Sequence, residues 1–341
     1  MVNKGQGNRM KPYLNCIFTN GAVFSANLPI RVFGGGHGSV EGVFCGEKAV
    51  ASAYGDGWKL EFSPRGYGGP YTMELSLDGE KVTLVDLYVG EVILCAGQSN
   101  MQFQLKESTD QRENYQTCEQ VRFYTVNRLE DGETYKEEDG WIKCQKQNAG
   151  EFSALGYYIG TMLAKKKGCA VGVIGAYQGA SAIRAWMPFA SLPDCVKRIP
   201  EEQLHADNRL YFFNKEGLLY EKMLSKIMPY ALSQVVWYQG ESNTSIAESA
   251  VYDELLLALI NSWRTAFALK ELPFCVVQIA DYNDTSTIYA GWKTLQEKQL
   301  AIAEKVAFVQ TVISRDVCET NDIHPPTKSK LGARIFATIA E

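Results

Sequence analysis

The sequence predicts an α/β fold in two parts. A β-rich, sandwich-like segment occupies residues 1–88, and a parallel sheet with helices on both faces occupies residues 89–341. Three observations carry this. Residues 10 to about 88 hold short alternating pieces, "PIRVFG", "WKLEFS", "YTMELSL" and "KVTLVDLYV", separated by Gly- and Asp-containing turns and free of useful helical periodicity. After residue 88, strand candidates alternate with helix candidates. Those later strands are near-continuous apolar runs, as expected when both faces of a sheet are covered.

Within the first part, "LSLDGEKV" reads as a hairpin, with Asp78-Gly79 supplying the positive φ of a tight turn. In the second part the strand candidates are Glu91–Cys95, Val121–Val126, Ala170–Ala176, Val235–Tyr238, Phe274–Ile279 and Val306–Ile313. "FSALGYYIGTMLAKKKG" places Phe152, Leu155, Ile159 and Met162/Leu163 on one helical face, with Gly168 as the stop. Further helices are predicted at 217–228, 248–268, 290–304 and 328–340. In such sheets ligands gather in loops beyond the carboxyl ends of the strands.

Bulk properties remove several function classes. The chain has 341 residues, 46% hydrophobic and 21% charged, which describes a globular protein with a large core. Its 34 basic and 39 acidic residues give −5, leaving no overall positive field for nucleic acid. Lys165-Lys166-Lys167 falls at a helix end, where it complements the dipole and is solvated. No run of about 18 apolar residues exists, so neither a spanning helix nor a membrane partner is expected. "MVNKGQGNRMKPYLN" lacks the apolar stretch of a secretory signal. The expected compartment is the cytoplasm, or the periplasm or exterior if a leader has been removed. Nine scattered cysteines without CxxC or Cys/His ligand spacing argue against zinc and against a complete disulfide framework. Nothing in the sequence sets an oligomeric state.

The loops at the strand ends are more specific. "VILC" ends in "AGQSNM" with Ser99; the strand ending near Ala176 leads to "YQGAS" with Gly179. Val235–Tyr238 leads to "QGESN" with Gln239, and the last strand to "ETNDIHPP" with Asp322 and His324. These residue types fit acyl transfer. A serine hydroxyl needs an imidazole to take its proton, the imidazole needs an orienting partner, and the tetrahedral intermediate needs oxyanion donors. Ser99 would attack and His324 would act as base, then acid. The backbone N–H groups of Ser99 and Gly179, with the Gln239 amide, would form the oxyanion hole. Of the other histidines, His37 in "GGGHG" reads as a turn residue and His205 in "EEQLHADN" as solvated. The orienting acid is open between Asp322 and Asp316, or a backbone carbonyl could serve.

At these residues the sequence resembles the sialate O-acetylesterase family of the SGNH/GDSL hydrolase superfamily. "GQSNM", "VGVIGAYQGASAIRAW", "VVWYQGESN" and "DIHPPTK" are similar to four of its blocks, in order, and "GGPYTMELSLDG" resembles the β-sandwich half that precedes them. The resemblance implies an SGNH-hydrolase-like (flavodoxin-like) sheet, Ser99 as nucleophile, His324 as base and Asp322 as the supporting acid. It implies Gly179 and Gln239 at oxyanion positions and Glu241 as a structural or site-lining acid. Asn100 and Trp186 are further candidates for lining the site, and Trp186, Trp237 and Trp292 could stack on sugars or lie in the core. The sequence departs from the family in having Ala180 where a second glycine is usual, Arg184 for the usual Glu, and Gln296 for a common Arg. The implied activity is hydrolysis of O-acetyl esters on carbohydrates, with O-acetylated sialic acid favoured. Acetylated plant cell-wall sugars (acetylxylan or other hemicellulose) or another acyl substrate are the enzymatic alternatives. A catalytically inactive carbohydrate-binding protein is the alternative from another class. No metal or organic cofactor is needed.

Overall fold

The computed structural model describes residues 10–110, 115–129 and 140–340. The first nine residues of the N-terminal stretch in which a secretory signal was sought, and Glu341, lie outside them.

Alternation builds the N-terminal region. In Gly57–Phe62, Trp58, Leu60 and Phe62 are buried while their neighbours face out. This strand joins Ile30–Gly35, Tyr13–Leu14 and Ser52–Tyr54 in a four-stranded antiparallel sheet. Val40–Phe44, Glu47–Val50 and Gly68–Leu77 form a second antiparallel set. The two sets meet through Phe44 and Phe62, whose rings lie 5.9 Å apart edge to face. The hairpin turn forms as expected, with φ of 51° at Asp78 and 86° at Gly79. His37 is exposed in the turn between two of these strands.

The hairpin leads into β1 (Glu80–Gly97), a single strand of 18 residues that crosses position 88 without a break. Its first half pairs with Gly68–Leu77 and Val23–Ser25. Its second half lies inside the large sheet. The sequence pattern suggests two strands divided near Gly90, but the backbone continues. A Cβ on Gly90 would fall 1.9 Å from the Ala170 carbonyl oxygen, so glycine lets the neighbouring chain approach and the Glu91 amide bond it at 3.0 Å.

The remaining strands of the large sheet are β2 (Cys118–Thr125), β3 (Ile142–Cys144), β4 (Val171–Tyr177), β5 (Gln234–Tyr238), β6 (Phe274–Val277) and β7 (Val309–Val312), in the order β3-β2-β4-β1-β5-β6-β7. Among the described residues, every pairing along this order is parallel except that of the edge strand β3 with β2. β1 therefore sits centrally, flanked by β4 and β5.

Helices cover both faces. Gly156 and Gly160 of α2 (Ala154–Lys167) lie against Val173. Val173 is in register with Ile93, and Ile93 with Gln234. Trp237, three residues on, points the opposite way and meets Trp263 of α3 (Tyr252–Ala266) edge to face at 5.5 Å. α4 (Trp292–Lys305) packs with α3, and α5 (Ser329–Ile339) with α2. Ser153 caps α2, and Gly168, at φ 62°, stops it. The adjoining lysines are less solvated than their composition suggests: Lys167 pairs with Glu91 at 2.7 Å and Lys166 bonds the Ala340 carbonyl at 2.8 Å. Two predicted helices are interrupted, 217–228 at Met223 and 248–268 at Val251. Among the described residues no helix is long and apolar enough to cross a membrane.

Candidate active site

β1 ends at Gly97, and a one-turn helix, α1 (Ser99–Gln102), starts immediately after Gln98. Ser99 is half-buried at the carboxyl edge of the central strand. His324 arrives from the loop after β7, and its Nε2 lies 2.7 Å from Ser99 Oγ. The two residues are 225 positions apart in sequence, so packing of the loop makes the pair. That loop is anchored: the Ser108 hydroxyl and Thr109 amide donate to the Pro326 carbonyl at 3.0 and 3.2 Å, and the Asn283 amide to Thr320 at 2.9 Å.

Burial lowers the His324 pKa, and nearby Lys328 lowers it further, against an opposing pull from Asp322 and Glu107. The neutral ring can accept the serine proton through Nε2. Asp322 acts on His324 through the backbone: its Oδ1 accepts from the His324 amide at 2.8 Å. Among the described residues no carboxylate hydrogen-bonds the imidazole. Asp316 is engaged elsewhere, held by both terminal nitrogens of Arg334.

The expected oxyanion donors differ in their surroundings. Ser99 opens its helix turn, so its N–H has no intrahelical acceptor. Gly179 sits beside it: a Cβ there would lie 3.7 Å from Ser99 Cβ, and its N–H donates to Gln102 Oε1 at 2.9 Å. Gln239 is a different case. It is fully buried, and its Nε2 donates to the Ser181 carbonyl at 2.9 Å and Asn243 Oδ1 at 2.7 Å. Its Oε1 accepts from the Tyr252 hydroxyl at 2.8 Å. Both protons are bonded within the protein, so in this structure Gln239 braces the loop.

Beneath Ser99 lies a buried polar cluster. Asn100 Nδ2 donates to Glu241 Oε1 at 2.6 Å and to the Ile323 carbonyl at 2.9 Å, and Lys328 Nζ donates to Asn100 Oδ1 at 2.7 Å. Asn100, next to Ser99, thus grips Ile323, next to His324. Burial pushes Lys328 down to about 8 and pushes Glu241 up, the latter tempered by Asn100 and Lys328. Lys328 was legible only as the last residue of "DIHPPTK".

Trp186, a candidate for lining the site, is fully buried, with its indole N–H on Ser181 Oγ and its ring edge-on to Trp237. Trp237 is also fully buried, and Trp292 is 8% exposed. His205 also departs from expectation. It is 3% exposed instead of solvated, with its amide on Glu248 Oε2 at 2.6 Å and its ring against Tyr289. It lines a cavity of about 440 Å³ together with Ser99, His324, Tyr211, Phe213 and Tyr289. The charged run "EEQLHADN" gives no hint of this, because the pocket forms only when Glu248 draws the segment inward. Glu248 also accepts from Asn208, Asn243 and Ser245.

Comparison with known proteins places the chain in a family. A family described as carbohydrate esterase, sialic acid-specific acetylesterase, matches residues 89–340. The chain belongs to this family. It is 25% identical to human sialate O-acetylesterase over 315 residues, covering 83% of this chain and 60% of that protein. It is 24% identical over 347 residues to the rat protein of the same name, covering 84% of this chain and 64% of the rat protein. The chain therefore spans about three fifths of the length of these relatives. In structure it is similar to a carbohydrate acetylesterase from Xanthomonas citri, with TM-score 0.80, 29% identity, 95% of this chain covered and 74% of that one.

Within this carbohydrate esterase family, the departures have local explanations. Ala180, in place of a second glycine, keeps the left-handed conformation at φ 56°, and its carbonyl is held by Asn214 Nδ2 at 2.9 Å. Arg184 lies 3.8 Å from Glu216. Gln296 donates to the Ile279 and Ala280 carbonyls and to Asp281 at 3.0–3.2 Å, tying α4 to the loop after β6.

Proposed function

We propose that this protein hydrolyses O-acetyl esters on carbohydrates, O-acetylated sialic acid being the favoured substrate. The observation that carries the reading is the 2.7 Å contact between Ser99 Oγ and His324 Nε2 at the carboxyl edge of β1. Family membership supports the substrate class.

In this reading Ser99 Oγ attacks the acetyl carbonyl while His324 Nε2 takes its proton. The carbonyl electron pair moves to oxygen, where the Ser99 and Gly179 amides receive the charge, Gly179 exchanging its bond from Gln102. Collapse of the intermediate expels the sugar alkoxide, which recovers the proton from His324. Water then adds to the acyl carbonyl as the same ring takes its proton, and the second intermediate expels Ser99 Oγ, which recovers that proton from His324 as acetate leaves. Asp322 supports the cation by charge and by fixing the backbone of His324. The fold reading that accompanies this mechanism is an SGNH-type sheet over residues 89–340, preceded by a sandwich-like β unit.

The test is acetate release from a panel of O-acetyl sialic acids and acetylated xylo-oligosaccharides, with Ser99→Ala alongside wild type. Release that disappears in the variant supports the esterase, and the preferred panel member names the sugar. A folded wild type that releases nothing from any member defeats the proposal.

A further inference from the structure

We infer that the sugar ring of the substrate occupies the aromatic cavity beside Ser99, and that His205 recognises it by donating a hydrogen bond from Nε2 to a ring hydroxyl. This rests on the esterase reading and adds which side of the nucleophile holds the sugar.

Two cavities share Ser99, Gly179 and His324. One, of about 410 Å³, is lined chiefly by charged and amide side chains, among them Gln104, Glu107 and Glu151. The other, of about 440 Å³, is lined by Tyr211, Phe213, Tyr289 and Ile323, with His205 and Glu241. A pyranose needs an apolar surface for its C–H face and polar groups at its edge. The first cavity also presents Phe103 and Tyr177, with Arg128 among its charged groups, but the second gathers three aromatic rings, Tyr211, Phe213 and Tyr289, beside polar atoms that lack a partner among the described residues. Tyr211 and Phe213 stack at 5.1 Å and 10°, and Tyr211 remains 42% exposed, presenting a platform at the rim.

The edge groups are pre-set. His205 Nδ1 lies 3.3 Å from the Asp207 amide and 3.4 Å from Asp207 Oδ2; accepting from the amide goes with the tautomer that carries its proton on Nε2, the one this inference uses. Burial keeps the ring neutral against the pull of Asp207. Nε2 is buried and finds no acceptor among the described protein groups, and Glu241 Oε2 is likewise buried without a partner. Leaving such groups unpaired is destabilising. A hydroxyl, being both donor and acceptor, satisfies either one.

The experiment compares kcat/KM on O-acetylated N-acetylneuraminic acid with kcat/KM on para-nitrophenyl acetate, which has no sugar. It uses wild type, His205→Phe, His205→Gln and Tyr211→Ala, with Glu151→Ala for the opposite cavity and Ser99→Ala as control. The ratio of sugar ester to aryl ester should fall about tenfold in His205→Phe and in Tyr211→Ala, and recover in His205→Gln, whose amide nitrogen replaces the Nε2 donor. An unchanged ratio in Tyr211→Ala and His205→Phe, or a fall in Glu151→Ala alone, overturns the inference. Should His205→Phe not fold, Tyr211→Ala decides, because its side chain is half-exposed. Ser99-dependent cleavage with unchanged ratios ends this inference and leaves the esterase reading standing. Absence of Ser99-dependent cleavage of either ester ends both.

Discussion

The Ser99–His324 pair and the polar layer around it are built on opposite lines. Ser99 and His324 are half-buried, open to two cavities, and joined to each other by one side-chain contact. Asn100, Gln239, Asn243 and Glu248 are buried, and their bonds are nearly all spent within the protein. The difference teaches that a motif can be mostly scaffold. "GQSNM" contributes one side chain proposed to react, Ser99, and an amide, Asn100, that holds the His324 loop. "QGESN" contributes bracing and one cavity-lining acid. Groups that must exchange partners during a reaction are left partly free, and those that aim them are not.

The largest effect should come from the half-buried pair. His324→Ala is expected to lower kcat/KM about 10³-fold or more with little change in Tm, checked by steady-state kinetics and thermal unfolding. Gln239→Leu should do the reverse. Unpairing Ser181, Asn243 and Tyr252 is expected to cost about 2–4 kcal/mol in denaturant unfolding. A loss of kcat about 10²-fold at unchanged stability would instead make Gln239 an oxyanion donor and dissolve the distinction.

Lys328→Met and Asp322→Asn sharpen the comparison through pH. Only neutral His324 acts as base, so kcat/KM should fall as pH drops through its pKa, below the ordinary imidazole value of about 6.5. Removing the Lys328 cation raises that pKa and should move the acid limb to higher pH. Removing the Asp322 charge lowers it and should move the limb to lower pH. Because the Asn oxygen can still accept from the His324 amide, Asp322→Asn should cost less than about tenfold on the plateau, far below the roughly 10⁴-fold loss of a ring-bonded acid. Asp316→Asn, spent on Arg334, should leave the profile in place. The smallest effect is Ala180→Gly, where relief of about 1 kcal/mol of left-handed strain is partly offset by backbone entropy. Its Tm should stay level or rise slightly.

Much of this was legible in sequence because it depends on local chemistry. Apolar runs place five strands of the large sheet to within a few residues and the second half of β1, Asp78-Gly79 makes the turn, and Gly168 stops α2. Ser99 and His324 stand out because each follows a strand in a polar loop. The rest depends on contacts across the chain. Gln239 and Trp186 carry polar groups that suit a site, but their partners, Ser181, Asn243 and Trp237, turn them inward. His205 sits in a charged segment, and only Glu248, 43 residues on, buries it. Asp322 reaches its histidine through the backbone, a choice that composition and spacing cannot display.

Because β1 runs unbroken from the Asp78-Gly79 hairpin to the residue before Gln98, the N-terminal region is not an appendage that can be trimmed away. Cutting near residue 88 would sever the strand that leads to Ser99 and expose a raw edge in the middle of two sheets. Pulled or heated, the chain has one common beam, so both regions should give way in a single transition. An engineer seeking a smaller version would have to redesign that strand before removing anything attached to it.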